Sequence, residues 1–542
     1  MSQAKPQSIS PEAVRALIRS EQPYALIDLR ELGAFSSGHL LLASCLPLSR
    51  LDLLAPSKLP AKHLPIVLLS ASEDDADLTE RGAAVLLQAG YTQVQVLAGG
   101  TQAWQLAGGE VFTGVNVPSK AFGEFVEHWH DTPRVSAAEL FEWQQRAERI
   151  LILDSRPFDE FRKMSIPDGR DCPGAELVRR IHDEIDDDDT VVVVNCAGRT
   201  RSIIGAQSLI NAGIRNPVFA LKDGTMGWKL AGLQLAHGKS DLVPEPSEAG
   251  LAAAVTAANR VANQCLIEQI DRATLKAWES SDESVTVLLD VRTEQEYLQG
   301  HWPGAIHAPG GQLVQATDEY VMVRNARLVL CDSPDGVRGN MTAHWLLQMG
   351  WREVRLLVEA PARAATGRDV PHQSLPAGAA EISAKEWAAK RADYAAQTIV
   401  LDLSVSRHYR AGHLPGAAWT TRARLAQALS TMMAQQPDAR TVLLTGPGDG
   451  LLALAAQDVM RLHPEFSVLV LAGGVGAWMA AGHPVQGESE HACWIHAPDD
   501  VWVPPTEGKV NAQEAMQQYL DWEVGLVEQV NREGLVTFNR LI

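Results

Sequence analysis

The chain reads as an α/β protein made of four tandem copies of one module, each a parallel sheet flanked by helices. Three observations carry this reading. Apolar strand runs alternate with helix-period segments, the pattern of parallel sheets covered on both faces. Val191-Val192-Val193-Val194 is a continuous β-branched run, as a strand buried on both faces requires. A strand ending at an aspartate recurs four times at about a domain's length: Leu26-Ile27-Asp28-Leu29-Arg30, Leu151-Ile152-Leu153-Asp154-Ser155-Arg156, Leu288-Leu289-Asp290-Val291-Arg292 and Val400-Leu401-Asp402-Leu403-Ser404. A period this long marks a string of globular domains and excludes a solenoid.

The other elements of the module follow in the same order in each copy. After three of the four aspartates comes a Gly-His pair, at Gly38-His39, Gly300-His301 and Gly412-His413. The second copy departs, running Ser165-Ile166-Pro167-Asp168-Gly169 to Pro173-Gly174-Ala175. Each module then closes on a strand and turn: Leu97-Ala98-Gly99-Gly100 to Trp104, Leu221-Lys222-Asp223-Gly224 to Trp228, and Leu471-Ala472-Gly473-Gly474 to Trp478. The third, Leu356-Leu357-Val358-Glu359-Ala360, lacks the glycines. These marks place modules at 1–117, 118–240, 260–372 and 373–487, with an extension at 488–542. Val117-Pro118-Ser119, the Pro/Glu/Ala-rich stretch Asp241–Asn263 and residues 360–376 read as linkers. In the extension, the helical pattern Glu514–Leu520 with Trp522 is open to two readings: packing back on the modules, or a homo-oligomer interface.

Composition bounds the partners. At about 100–200 residues per domain, 542 residues hold three to five domains, and 46% hydrophobic content can core each of them. A net charge of −19 disfavours nucleic acid and anionic membranes. Met1-Ser2-Gln3-Ala4-Lys5-Pro6 has no signal-peptide core and no run reaches membrane-spanning length, so a cytoplasmic protein without membrane partners is expected. The six cysteines show no C-x-x-C spacing and no histidines at ligand distance, which argues against a disulfide framework or metal site.

Cys196 is the residue that carries chemistry. The Val191–Asn195 strand runs into Cys196-Ala197-Gly198-Arg199-Thr200-Arg201-Ser202, and a helix follows with Ile203, Ala206 and Ile210 on one face and Gly213 as its C-terminal cap. The amides of this loop and the positive helix end favour an anion. With Arg199 and Arg201 they should also lower the thiol pKa, giving a thiolate near neutral pH. An inert core cysteine would not call for two arginines within five positions. Of the other thiols, Cys45 and Cys265 read as core and Cys493 has no readable role. Cys172 reads as a loop residue, with a resolving thiol as the alternative. The Asp/Arg turns and the histidines at 39, 301 and 413 recur in modules without Cys196, so both read as structural.

The loop Cys196–Arg201 resembles the active-site loop of the rhodaneses, the thiosulfate sulfurtransferases. Its six residues are one fewer than in the similar cysteine phosphatases, and a shorter ring of amides encloses a smaller anion, fitting a single sulfur. The resemblance implies four rhodanese-like modules. It also implies catalysis by Cys196 and Arg201 with substrate held by Ala197, Gly198, Arg199, Thr200 and Ser202. No cofactor or metal is implied. The reaction would be ping-pong transfer of sulfane sulfur from thiosulfate, or a similar small anionic donor, to cyanide or a thiol acceptor. The alternatives are a cysteine-based phosphatase or arsenate reductase, and a non-catalytic sulfur carrier or scaffold. Matching the modules on their helices sets Ser333 opposite Cys196 in module three, with Cys331 two positions early and Arg338 opposite Arg201. It starts the corresponding loops at Ser72 in module one and Thr445 in module four. None of these offers a thiol at the right place, so one active and three degenerate modules are expected.

Overall fold

The computed structural model describes residues 6–146, 148–281, 284–368, 373–487, 492–507 and 511–542, with backbone only at 392–395. Four parallel sheets stand in chain order. In the second, the strands Arg134–Val135, Val218–Leu221, Val191–Asn195, Ile150–Asp154 and Arg170–Asp171 lie side by side in that order. The other three sheets repeat this order. In every module the central strand is the one that precedes the loop, so the loop leaves at a carboxyl end, where parallel α/β sheets place their ligands.

The repeated sequence marks are framework. Arg156 binds Asp154 through Nε (2.8 Å) and Nη2 (2.7 Å), and Arg30 and Arg292 close the same fork on Asp28 and Asp290. His301 stacks on Tyr297 at 3.8 Å and bonds its carbonyl through Nδ1 (2.9 Å); His413 repeats this on Tyr409, and His39 stacks on Phe35. All three rings are buried.

Strand register corrects the alignment of the loops. Asp154 pairs with Asn195, and the equivalent aspartates pair with Leu69, Cys331 and Thr445. The residues opposite Cys196 are therefore Ser70, Asp332 and Gly446, in place of Ser72, Ser333 and Thr445. A backbone bond supports this: Thr225 N donates to the Cys196 carbonyl at 2.9 Å, as Thr101 N does to that of Ser70. The loops differ in length between strand and helix, so counting back from the helices stops short of the strand end in modules one and three and overshoots it in module four. Cys331 is the last strand residue, buried, with burial pushing its thiol far up.

Two stretches expected as linkers are helices. Val117–His130 follows module one, and Glu248–Gln264, capped by Ser247, turns Ala254, Ala257, Ala258 and Val261 inward between modules two and three. Its small residues, one turn apart, let it sink between helices Leu177–Arg180 and Val337–Gln348. The expected junctions at 372/373 and 487/488 touch residues outside those described. Modules two and three meet so closely that a Cβ on Gly311 would lie 3.0 Å from the backbone of Gly174. Modules one and four meet reciprocally: Arg50 pairs with Asp449, and Arg422 Nη2 reaches Asp52 at 2.9 Å. The extension packs back. Cys493–Trp494 adds a strand beside Ala418–Trp419, and helix Ala512–Glu533 buries Met516, Leu520, Leu526 and Val530 while running along Val117–His130. Among the described residues no helix is long and apolar enough to cross a membrane.

Candidate active site

Cys196 follows directly on the central strand of module two and is 2% exposed. Its carbonyl and that of Ala197 accept the amides of Thr225 and Met226, which pins the loop to the turn opening helix Gly224–Leu230. Gly224 has φ +54°, and a Cβ there would stand 2.3 Å from the Cys196 carbonyl oxygen, so glycine is required for the two turns to touch. The thiol donates weakly to Ser202 Oγ at 3.5 Å, and Ser202 Oγ donates to the Arg199 carbonyl at 2.8 Å. The amides of Gly198 and Ser202 also face the sulfur. Burial nevertheless pushes the thiol up, and the Arg201 charge, the Ser202 hydroxyl and these amides only partly offset it. The expected thiolate near neutral pH is therefore corrected: helix polarity and arginines are readable in a sequence, whereas the burial that outweighs them is not.

Arg199 also differs from expectation. It is 6% exposed, and four of its five N–H donors are taken by Glu124 (2.7 Å twice), Glu127 (2.7 Å) and Asp223 (3.2 Å). Its guanidinium fastens the loop to helix Val117–His130 and is not free for a substrate anion. Thr200 turns to the same helix, its methyl lying against Gly123, where a Cβ would be 2.8 Å away. Arg201 does face the site. Glu160, on helix Phe158–Lys163, holds it by two 2.8 Å bonds, and Gln312 of module three accepts a third at 3.2 Å. Burial and Cys172's acidic neighbours push that thiol far up, and it sits in the core as a loop residue without thiolate character.

A cavity of about 320 Å³ opens against the loop. Ala197 and Arg201 form its floor; Lys120, Gln312, Trp502 and Tyr519 are among its walls. Module two alone does not make the site: the preceding helix, module three and the extension complete it. Glu523, on the extension's long helix, is buried with Oε2 3.2 Å from where a Gly198 Cβ would be, and burial raises its carboxyl to about 7. Tyr519 donates to its Oε1 at 3.0 Å. Lys120, Glu160, Gln312, Tyr519 and Glu523 carry no local motif, which is why the sequence alone does not reveal them. Among the described residues no cluster of histidine, cysteine or acidic side chains could hold a metal ion.

The corresponding loop of module three is filled from within. In module three Asp332 stands where Cys196 would, accepting the amides of Ser333 and Gly339 at 2.7 Å each and Arg338 Nε at 3.1 Å. Arg338 is further bound by Glu296 and by Glu176 of module two. The cradle persists, filled by the chain's own carboxylate.

Residues 10–107, 136–231, 273–360 and 383–481 each match the rhodanese-like domain. The chain belongs to the rhodanese family. This rhodanese is also similar over its whole length to a solved structure, that of a thiosulfate sulfurtransferase from Pseudomonas aeruginosa. The two are 43% identical, with TM-score 0.91, covering 98% of this chain and 99% of that one. It is 32% identical over 92 residues to the putative sulfur carrier protein YrkF of Bacillus subtilis (strain 168), matching 17% of this chain. The chain spans about half, 48%, of the length of that relative.

Proposed function

We propose that this rhodanese is a thiosulfate sulfurtransferase working through a persulfide on Cys196. The observation that carries the reading is the six-residue loop, which surrounds one sulfur atom with amides and Ser202 while Arg201 stands at its edge. The family supports sulfurtransferase activity in general, and the 43% identical neighbour supports thiosulfate as donor. Cys196 Sγ, as thiolate, attacks the outer sulfur of thiosulfate; the new S–S bond forms as the old one breaks, and its electron pair leaves with sulfite. Arg201, oriented by Glu160, stabilises the charge that grows on the departing sulfite. A thiophile then attacks the outer persulfide sulfur and returns the thiolate. Because Cys196 is buried and the cavity beside its loop holds only about 320 Å³, the acceptor that fits is a small one such as cyanide or a low-molecular-weight thiol.

Intact mass after thiosulfate treatment tests the reading: the wild type should gain one sulfur and release sulfite stoichiometrically, and Cys196→Ser should do neither. Sulfur uptake surviving in that variant, or efficient aryl-phosphate hydrolysis by the wild type, would overturn it. The carrier reading rests on the YrkF match and predicts a stable persulfide that cyanide or small thiols discharge slowly.

A further inference from the structure

We propose that Lys120 is the anchor for the sulfonate end of the donor anion, together with Arg201. This rests on the thiosulfate reading above and supplies the second cation that Arg199 does not.

Lys120 lies in the first turn of helix Val117–His130, far from the loop in sequence, yet it walls the same cavity as Ala197 and Arg201. The other cations of that cavity are committed. Arg156 is forked on Asp154 and bonded to the Met164 carbonyl, and Lys163 is paired with Glu507. Lys120 has no carboxylate within ion-pair distance among the described residues. Its ammonium donates to the Val115 carbonyl at 2.6 Å, which leaves N–H donors over. It is 3% exposed and sits 5.0–5.2 Å from the ring centres of Trp502, Tyr519 and Trp522. Ring faces hold a cation without neutralising it; burial pushes the ammonium pKa down while the charges of Glu523, Asp318 and Glu319 hold it up, and none of these carboxylates bonds it, which leaves room for a counter-anion.

The chemistry of thiosulfate fits this arrangement. Its outer sulfur must enter the amide ring at Cys196, which leaves its three sulfonate oxygens in the cavity, where the spare donors of Lys120 and the two Arg201 N–H groups not taken by Glu160 and Gln312 are the available cationic donors. When the S–S bond breaks, the same oxygens belong to sulfite, so the anchor holds both donor and leaving group. Glu523, with its carboxyl raised to about 7, and Tyr519 face Lys120 from the extension without bonding it.

Full-length wild type, K120M and K120R are compared by intact mass as they take sulfur from two donors: thiosulfate, and a small alkyl persulfide that carries no sulfonate. K120M should load from thiosulfate at least about tenfold more slowly, the loss of a charge-assisted contact, and at wild-type rate from the alkyl persulfide. K120R, which keeps the charge, should lose less than K120M with thiosulfate. Unchanged thiosulfate loading in K120M, or an equal loss with both donors, would overturn the assignment. A wild type that loads from the alkyl persulfide and not from thiosulfate would instead overturn the donor reading, and this anchor with it.

Discussion

Arg199 and Arg201 sit two positions apart in one loop, and their surroundings divide them into different jobs. Arg199 lies among three carboxylates, two of them on a helix some seventy residues earlier in the chain. Truncating it leaves buried Glu124 without a cation among the described residues and Glu127 with only the part-exposed Arg134. Arg199→Ala should therefore lower stability by about 3–5 kcal/mol, the range for breaking a buried ion network, as read by denaturant unfolding. Arg201 has one carboxylate partner that is itself part-exposed, so Arg201→Ala should leave folding nearly intact and lower kcat/KM for thiosulfate at least about tenfold. Equal effects of the two substitutions on both measurements would contradict this division. The sequence could not separate them, because what decides each role is a partner remote in the chain: Glu124 and Glu127 for one, Glu160 and Gln312 for the other. Cys196 itself was legible, since strand, thiol, glycine, arginines and helix are contiguous.

At the scale of the element, the loops of modules two and three are one scaffold with opposite fillings. Arg338 copies Arg201, and Glu296 copies Glu160 as its partner. Glu176 of module two reaches Arg338 as Gln312 of module three reaches Arg201. The exchange of an amide for a carboxylate at that crossing, with Asp332 for the cysteine, converts an anion-binding loop into a closed ion network. Hydrogen bonds from Arg338 and Thr293 hold the Glu296 carboxyl down at about 2 against its burial. A group depressed on folding contributes stability above its unfolded value, near 4.5, and loses it as pH falls toward 2. Acid unfolding of the wild type should therefore steepen between about pH 4.5 and 2, and Glu296→Gln should flatten that limb while lowering stability at pH 7. An unchanged acid limb would mean that Glu296 does not link folding to protons. The four modules were legible because their framework marks are local: the Asp fork, the Gly-His turn and the Gly-Gly turn before a buried Trp. Loop register was not, because a loop one residue longer slides any alignment made from the helix side.

Across the whole molecule, module one meets module four and, through Tyr24 and Lys58, module three; module three also packs on module two, and the extension then threads back over them. Its helix lies against Val117–His130, and Phe538 beyond it packs on Phe122 and Phe125 at 5.2 Å. The candidate site is thus assembled from parts separated by most of the chain, which is why the local sequence reveals Cys196 and its loop and leaves the walls unseen. Met516 and Leu520 fasten this cover, clustering with Met226 directly beside Ala197 of the loop. If the cover is what keeps Cys196 away from bulky reactants, loosening it should expose the thiol before the modules themselves unfold. Met516→Ala with Leu520→Ala removes two buried apolar anchors, each worth about 2–5 kcal/mol of local packing, while changing no residue of the loop or of the sheet of module two. The double variant should be labelled at Cys196 by a bulky maleimide much faster than the wild type, at a pH where the two have the same secondary structure by circular dichroism. Its thiosulfate activity should fall at the same time, because Tyr519 and Lys120 would lose their positions at the cavity wall. Labelling as slow as in the wild type would show that modules two and three alone enclose the thiol, and that the extension serves stability without controlling access.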